Sequence, residues 1–226
     1  MMLSLGSRGP EVQALTEGLV SLGFLSESSF TFDKAVETGV KEFQADEGIT
    51  VDGIAGPTTL KHLEARVGQR IKLLVVHHSA TPRTTTVAQI RDYHVNHNGW
   101  RDIAYHYLLR QPTDDSKVEI TPGRYQDGDA YIEPGEEGAH VYGYVNYYSL
   151  GICCVGNFDE EEMPELMWET LVRTLASYCT AWKLDSSAIL GHKEVEGQNT
   201  ACPGGNVDLT LLRASVMDAL QTGGNA

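Results

Sequence analysis

The sequence predicts an α/β fold: a mixed central β-sheet flanked by helices, preceded by a small three-helix bundle. Three observations carry that expectation. Leu73-Leu74-Val75-Val76 is apolar throughout, as a central strand covered on both faces must be. Strand-like and helix-like segments then alternate to the end of the chain, the pattern of helices layered on a sheet. The first 66 residues, by contrast, show only helical spacing broken by glycine-studded joints.

The totals fit this division. A chain of 226 residues suits a small domain plus a medium one, and a hydrophobic fraction of 41% is ordinary for a chain with a core. Its 17 basic against 31 acidic side chains give a formal charge of −14, which repels phosphate backbones and anionic lipid headgroups. Nucleic acid and membrane insertion are therefore excluded as expectations; the oligomeric state is left open. Cys153 and Cys154 lie in an apolar run and read as small buried hydrophobes, whereas Cys202 stands in a polar, Pro/Gly-flanked loop. The first ten residues lack the apolar core of a signal peptide, and no run reaches the length of a membrane span. The expectation is synthesis in the cytoplasm and, for any action outside, release by another route.

In chain order, Ser7 is a candidate cap and Pro10 takes the first position of a helix in which Val12, Leu15, Leu19 and Leu22 recur to Gly23. A second helix carries Val36, Val40 and Phe43 to Gly48, and a third runs from Thr58 to Val67 after a glycine-rich loop. Residues 66–70 form a polar joint, so the expected domains are 1–66 and 71–226. A strand over 72–76 is followed by a helix over Val87–His97 and a two-faced strand over Ala104–Arg110. A hairpin returns through Val118-Glu119-Ile120. Residues 122–148, rich in Gly, Pro and Tyr, read as loop. A strand over Tyr148–Asn157, a helix over Pro164–Trp182, a short strand at Ile189–Gly191 and a helix over Leu209–Leu220 complete the domain.

The chemistry concentrates near strand ends. His77 lies where the first strand runs out, His192 directly after Gly191, and Cys202 in the loop beyond. Functional side chains of α/β sheets collect at such ends. Two imidazoles and one thiolate suit a single zinc ion whose fourth position is left open, the mark of a catalytic site. Taken alone, each of the three residues is more often structural; together they form a coherent ligand set. Hydrolysis at such a site also needs a proton carrier and an oxyanion donor. Tyr105 and Thr200 are the candidates, with a buried aromatic as the plainer reading of Tyr105. His78 is not assigned to the metal, because successive strand residues face opposite ways.

Two resemblances sharpen these readings. Leu5-Gly6-Ser7-Arg8-Gly9, Val40-Lys41-Glu42-Phe43-Gln44 and Val51-Asp52-Gly53-Ile54-Ala55-Gly56-Pro57 resemble the peptidoglycan-binding domain of bacterial wall hydrolases. That family usually has a second Asp-Gly-x-Phe-Gly loop, where this chain has Ser28-Ser29-Phe30-Thr31-Phe32-Asp33. Further on, Val76-His77-His78-Ser79-Ala80-Thr81, Gly99-Trp100-Arg101-Asp102-Ile103-Ala104-Tyr105-His106, Gly138-Ala139-His140, Ser149-Leu150-Gly151-Ile152 and Gly191-His192-Lys193-Glu194-Val195 through Ala201-Cys202-Pro203 occur in one order. That order is similar to the zinc-dependent N-acetylmuramoyl-L-alanine amidases, kin to the peptidoglycan recognition proteins.

This second resemblance implies one Zn²⁺ per chain on His77, His192 and Cys202, catalytic help from Tyr105, and His140 lining the substrate groove. It also implies that bacterial peptidoglycan is the partner, cut between N-acetylmuramic acid and the L-alanine of the stem peptide. Phage members of the family often place a lysine two residues before the cysteine; Thr200 stands there here, as in catalytic recognition proteins. The loop from His192 to Cys202 is also slightly longer than in the phage enzymes. The expected role is that of a phage or prophage endolysin. The rivals are a non-catalytic recognition module, whose relatives generally lack the cysteine, an antibacterial amidase effector injected into a competing cell, and a regulatory module that grips another protein.

Overall fold

The computed structural model describes residues 2–67, 69–125, 128–133 and 135–223. Gly68 of the expected joint and residues 126, 127 and 134 of the expected loop lie outside the described residues, as do residue 1 and residues 224–226 of the expected domains. The chain forms two compact units, Met1–Gln69 and Arg70–Ala226.

The first unit contains α1 (Pro10–Ser21), α2 (Lys34–Asp46) and α3 (Pro57–Val67). Pro10 opens α1 as expected, but Gly9 is the cap and makes no side-chain bond. Ser7 instead accepts the Ser4 N–H within its own turn. Gln44 ties the closing loop to α2: its Nε2 meets Asp52 Oδ1, the Ile54 carbonyl and Thr59 Oγ1, and its Oε1 accepts from Asp52 and Gly53. The segment that departs from the family's second loop works as structure. Phe32 is fully buried, and Asp33 caps α2 by accepting the Val36 N–H.

The second unit is a mixed sheet between helices. Its strands are β1 (Leu73–His78), β2 (Tyr107–Arg110), β3 (Glu119–Pro122), β4 (Ser149–Cys154) and β5 (Ile189–Gly191), in the order β3-β2-β4-β1-β5. β1 is parallel to both β4 and β5, β4 is parallel to β2, and β3 is antiparallel to β2. Two long helices, α5 (Glu165–Trp182) and α6 (Leu209–Gly223), share one core with Leu74, Val76, Leu150, Ile152 and Cys154. Strand alternation turns Val75, His77, Gly151 and Cys153 to the opposite face.

Three expectations change in detail. The helix over 87–97 is α4 (Val87–Asp92) followed by a π-helical turn at Tyr93–His97. That turn lets buried His94 accept the Ala104 N–H on its Nδ1 while its carbonyl accepts from Trp100. The two-faced strand begins at Tyr107, not Ala104. Upstream, the main chain of Tyr105 and His106 still bonds to Gly123, Arg124 and Gly151 in line with the strand pairing, while the Gly151 N–H is taken by the His106 ring. Within the expected loop, Tyr131–Ile132 forms a short strand and Tyr144–Tyr147 a 3₁₀ turn.

Candidate metal centre and its supporting shell

Parallel pairing of β1 with β5 sets Val76 opposite Gly191, so His77 and His192 leave the same rim of the sheet one residue later. Their ring centroids are 4.7 Å apart. The loop after His192 returns Cys202 to this rim, where the Lys193 N–H bonds to the Cys202 carbonyl at 2.8 Å. Cys202 Sγ lies 3.6 Å from His77 Nδ1, and the ligand atoms of His77, His192 and Cys202 all fall within 4.8 Å of one another. Tetrahedral zinc with its usual bonds sets imidazole nitrogen and sulfur about 3.6 Å apart, so the donors fit that ion. Among the described residues this is the one such cluster.

The protonation states suit the same role. Burial, then the neighbouring imidazoles, holds His77 well below the ordinary histidine range, and burial lowers His192 as well. Both rings are therefore neutral at pH 7, with a lone pair to give. Burial pushes the Cys202 thiol up to about 11, against help from the His78 N–H, which points at Sγ from 3.4 Å. Zinc binds thiolate, so uptake must expel this one proton. Zinc affinity is therefore expected to rise about tenfold per pH unit across the neutral range, with about one proton released per ion. Calorimetry in buffers of different ionisation enthalpy measures that number, and a value near zero would remove Cys202 from the ligand set.

Each imidazole is held from behind. His77 Nε2 lies 2.9 Å from His140 Nδ1, and His140 Nε2 is 3.4 Å from the Ser149 carbonyl. An acceptor carbonyl at the end of the row assigns the protons: His140 carries its hydrogen on Nε2, His77 donates from Nε2, and His77 Nδ1 is left bare toward Cys202. Such outer partners fix the tautomer of a metal-binding histidine. On the other side, His192 Nε2 meets Gln198 Oε1 at 3.1 Å. Gln198 cannot turn its amide round, because Oε1 also accepts the Tyr142 N–H while Nε2 donates to the Tyr142 carbonyl.

His140 thus differs from its expected place. It is 4% exposed and sits beneath His77, not on an open groove wall. The space it fills exists because residue 151 is glycine: a Cβ there would stand 2.5 Å from the His140 ring. Asn146 secures this loop, accepting from the His140 and Val141 N–H groups and donating to the Val141 and Gly143 carbonyls.

Tyr105 packs its ring 5.3 Å from that of His77, and its hydroxyl hydrogen-bonds with the Cys153 thiol. Burial, then the nearby thiols, raises it well above the ordinary tyrosine range. It is a proton donor at neutral pH, not a base. Thr200 Oγ1 accepts the Cys202 N–H at 3.1 Å, which braces the ligand loop and leaves its hydroxyl hydrogen available. His78 stays off the metal side: its Nδ1 accepts the Phe158 N–H. Sequence reasoning missed Gln198, Asn146 and the Glu194–Arg213 pair. Glu194 accepts the Gly191 N–H and is gripped by both terminal nitrogens of Arg213, anchoring the His192 turn to α6.

Two imidazoles and a thiol converge on one rim of this α/β domain, His77 and Cys202 buried and His192 half-buried, as a candidate metal-holding cluster. Residues 67–205 match the N-acetylmuramoyl-L-alanine amidase family, and residues 8–63 match the putative peptidoglycan binding domain. The chain belongs to the N-acetylmuramoyl-L-alanine amidase family. It is 33% identical over 140 residues to the endolysin of Klebsiella phage KP32, covering 60% of this chain and 82% of that one. Among solved structures, the N-acetylmuramoyl-L-alanine amidase LysC from Clostridium intestinale aligns with a TM-score of 0.54 at 26% identity, covering 66% and 87% of the two chains. The endolysin of Thermus scotoductus bacteriophage Ph2119 aligns with a TM-score of 0.50 at 27% identity, covering 66% and 86%.

Proposed function

We propose that this chain is a zinc-dependent peptidoglycan amidase of the phage endolysin kind, cleaving the bond between N-acetylmuramic acid and the L-alanine of the stem peptide. The observation that carries the reading is the convergence of His77, His192 and Cys202 within 4.8 Å on one rim. The family match and the phage relative support it. Residues 1–66 are assigned to holding the wall polymer and residues 71–226 to cutting it. Release from the cell in which it is made, by a membrane lesion or a similar route, completes the proposed role.

In this reading His77 and His192 give Nδ1, and Cys202 gives Sγ, to one Zn²⁺ per chain. A zinc ion so held supplies Lewis acidity to an amide carbonyl and to water. The chain's own part is to keep both imidazoles neutral and oriented, to keep Tyr105 protonated beside His77, and to offer the Thr200 hydroxyl to developing negative charge. Preorganised donors of this kind commonly contribute 10²–10³-fold in rate. The variant Tyr105→Phe is therefore expected to keep its zinc while kcat falls about a hundredfold. Loss of zinc in that variant would reveal a structural role instead. Cys202 sets the reading apart from a non-catalytic recognition module, since the thiol completes a ligand set that binding alone does not need.

The test is mass spectrometry of purified peptidoglycan after incubation with and without a chelator. Free stem peptides beginning with L-alanine, formed only without chelator, are the expected product. Intact wall after exposure to zinc-loaded protein would overturn the assignment.

A further inference from the structure

One glutamine side chain joins the metal cluster to an exposed loop that the amidase reading leaves without a task. Gln198 Oε1 lies 3.1 Å from His192 Nε2 and also accepts the Tyr142 N–H at 2.9 Å, while its Nε2 donates to the Tyr142 carbonyl at 3.1 Å. Both ends of one amide are committed, and the oxygen is shared between a candidate metal ligand and the main chain of residue 142. The Tyr142 side chain takes no part in this clamp and is 84% exposed. Tyr144 and Tyr147 are exposed as well, and their rings stack at 4.9 Å. Tyr147 carries the patch into a cavity of about 310 Å³ that it lines with Trp100 and Ala139.

Exposed aromatics scattered singly need no explanation, but three tyrosines on one short loop form a patch. This patch is built to stay still. Gly143 turns the chain at φ +91°, where a side chain would be strained. Asn146 ties the loop through the His140 and Val141 N–H groups and the Val141 and Gly143 carbonyls, and Gln198 pins Tyr142. A rigid aromatic surface loses little freedom when a ligand covers it. Charge selects the ligand. A formal −14 exerts no pull on a carboxylate-bearing polymer. An aromatic face, negative by its quadrupole, attracts the C–H face of a neutral sugar ring instead.

The link to the metal runs through the His192 ring. A neutral imidazole can carry its proton on either nitrogen, and only with the proton on Nε2 does it donate to Gln198 Oε1. When Nδ1 is taken by a metal, the proton must stand on Nε2, aimed at that oxygen. We propose that Gln198 is a positioning residue that couples the metal centre to glycan capture. A metal-held His192 secures Gln198 and with it the Tyr142–Tyr147 loop, and that loop seats the N-acetylhexosamine rings of the wall polymer. The identity of the polymer rests on the amidase reading. Such coupling is reciprocal, so a bound glycan also tightens the hold on the metal.

The coupling is read in the intact protein without wall cleavage, using zinc and chitotetraose, a neutral N-acetylglucosamine oligomer with no stem peptide. Zinc is expected to slow hydrogen exchange at the Tyr142 amide about tenfold and to tighten chitotetraose binding by about the same factor. Gln198→Ala, checked for folding by circular dichroism, should abolish both responses. Gln198→Glu keeps the acceptor for His192 but loses the donor to the Tyr142 carbonyl. It should hold zinc at least as tightly as the unaltered protein while binding the sugar as weakly as Gln198→Ala does. Tyr142→Ala leaves the main-chain clamp in place, so it should keep the exchange response and lose at least about fivefold in sugar affinity. A purely structural clamp predicts equal Tyr142 protection with and without zinc. That result, a zinc effect on sugar binding that survives Gln198→Ala, or sugar affinity unmoved in Tyr142→Ala would each overturn the inference. Metal content of the same samples separates the two readings: zinc taken up without these responses sinks the coupling alone, and no uptake sinks both. Coupling intact in a protein that releases no stem peptides would sink the amidase reading alone.

Discussion

Cys202→Ser is expected to leave a folded protein that neither takes up zinc nor releases stem peptides. Cys202 is 9% exposed, and its sulfur faces His77 Nδ1 at 3.6 Å and receives the His78 N–H. Serine preserves the shape of the site, but its harder, less acidic hydroxyl is a poor ligand for a borderline-soft ion. Altering outer partners of a metal site already costs 10- to 100-fold, so loss of a ligand should exceed about a hundredfold in both affinity and rate. Metal content by mass spectrometry and peptide release by chromatography measure the two effects, with circular dichroism as the control on folding. A variant that still holds one zinc per chain would show that the ligand set has been misread.

The second large effect is expected at a residue that touches the metal only through another. His140→Ala removes the acceptor of the His77 Nε2 proton and empties the space above Gly151. With its tautomer no longer fixed, His77 can place hydrogen on Nδ1, the atom that the metal requires bare. Zinc affinity is expected to fall about 10- to 100-fold. Stability of the metal-free protein should fall by about 1–3 kcal/mol, since a buried donor loses its partner. A filling role alone predicts the stability loss with zinc affinity unchanged. His140→Gln, which restores an acceptor within reach, separates the two: it should recover much of the affinity without restoring the packing. Competition with a chromogenic chelator reads affinity, and chemical denaturation reads stability.

Both predictions concern residues present in the sequence reading; the structure brings Cys202 beside His77 and His192 and buries His140 beneath His77. Cys202 could be singled out because a thiol in a polar loop differs from those buried in apolar runs. His77 and His192 announced themselves through position: each lies at or just past the C-terminal end of a strand, and parallel strands bring such ends to one rim. These signals are local, since they depend on residue type and on the period of the backbone. The same holds for α5 and α6, whose apolar faces recur every three to four residues.

What the sequence could not contain was the choice of partners. His140 stands 63 residues from His77 and lies beneath it only because β4 presents Gly151 on that face of the sheet. Gln198 supports His192 because Tyr142, 56 residues away, clamps its amide from both sides. The π-helical turn at Tyr93–His97 goes with a hydrogen bond from Ala104 to the His94 ring, and just before β2 the Gly151 N–H turns to the His106 ring. The sequence by itself determined the fold class, because this follows from composition and periodicity, and it singled out the side chains that now converge on one rim. Which nitrogen of each histidine is left bare was decided by tertiary structure alone, because that depends on which acceptor stands behind the ring.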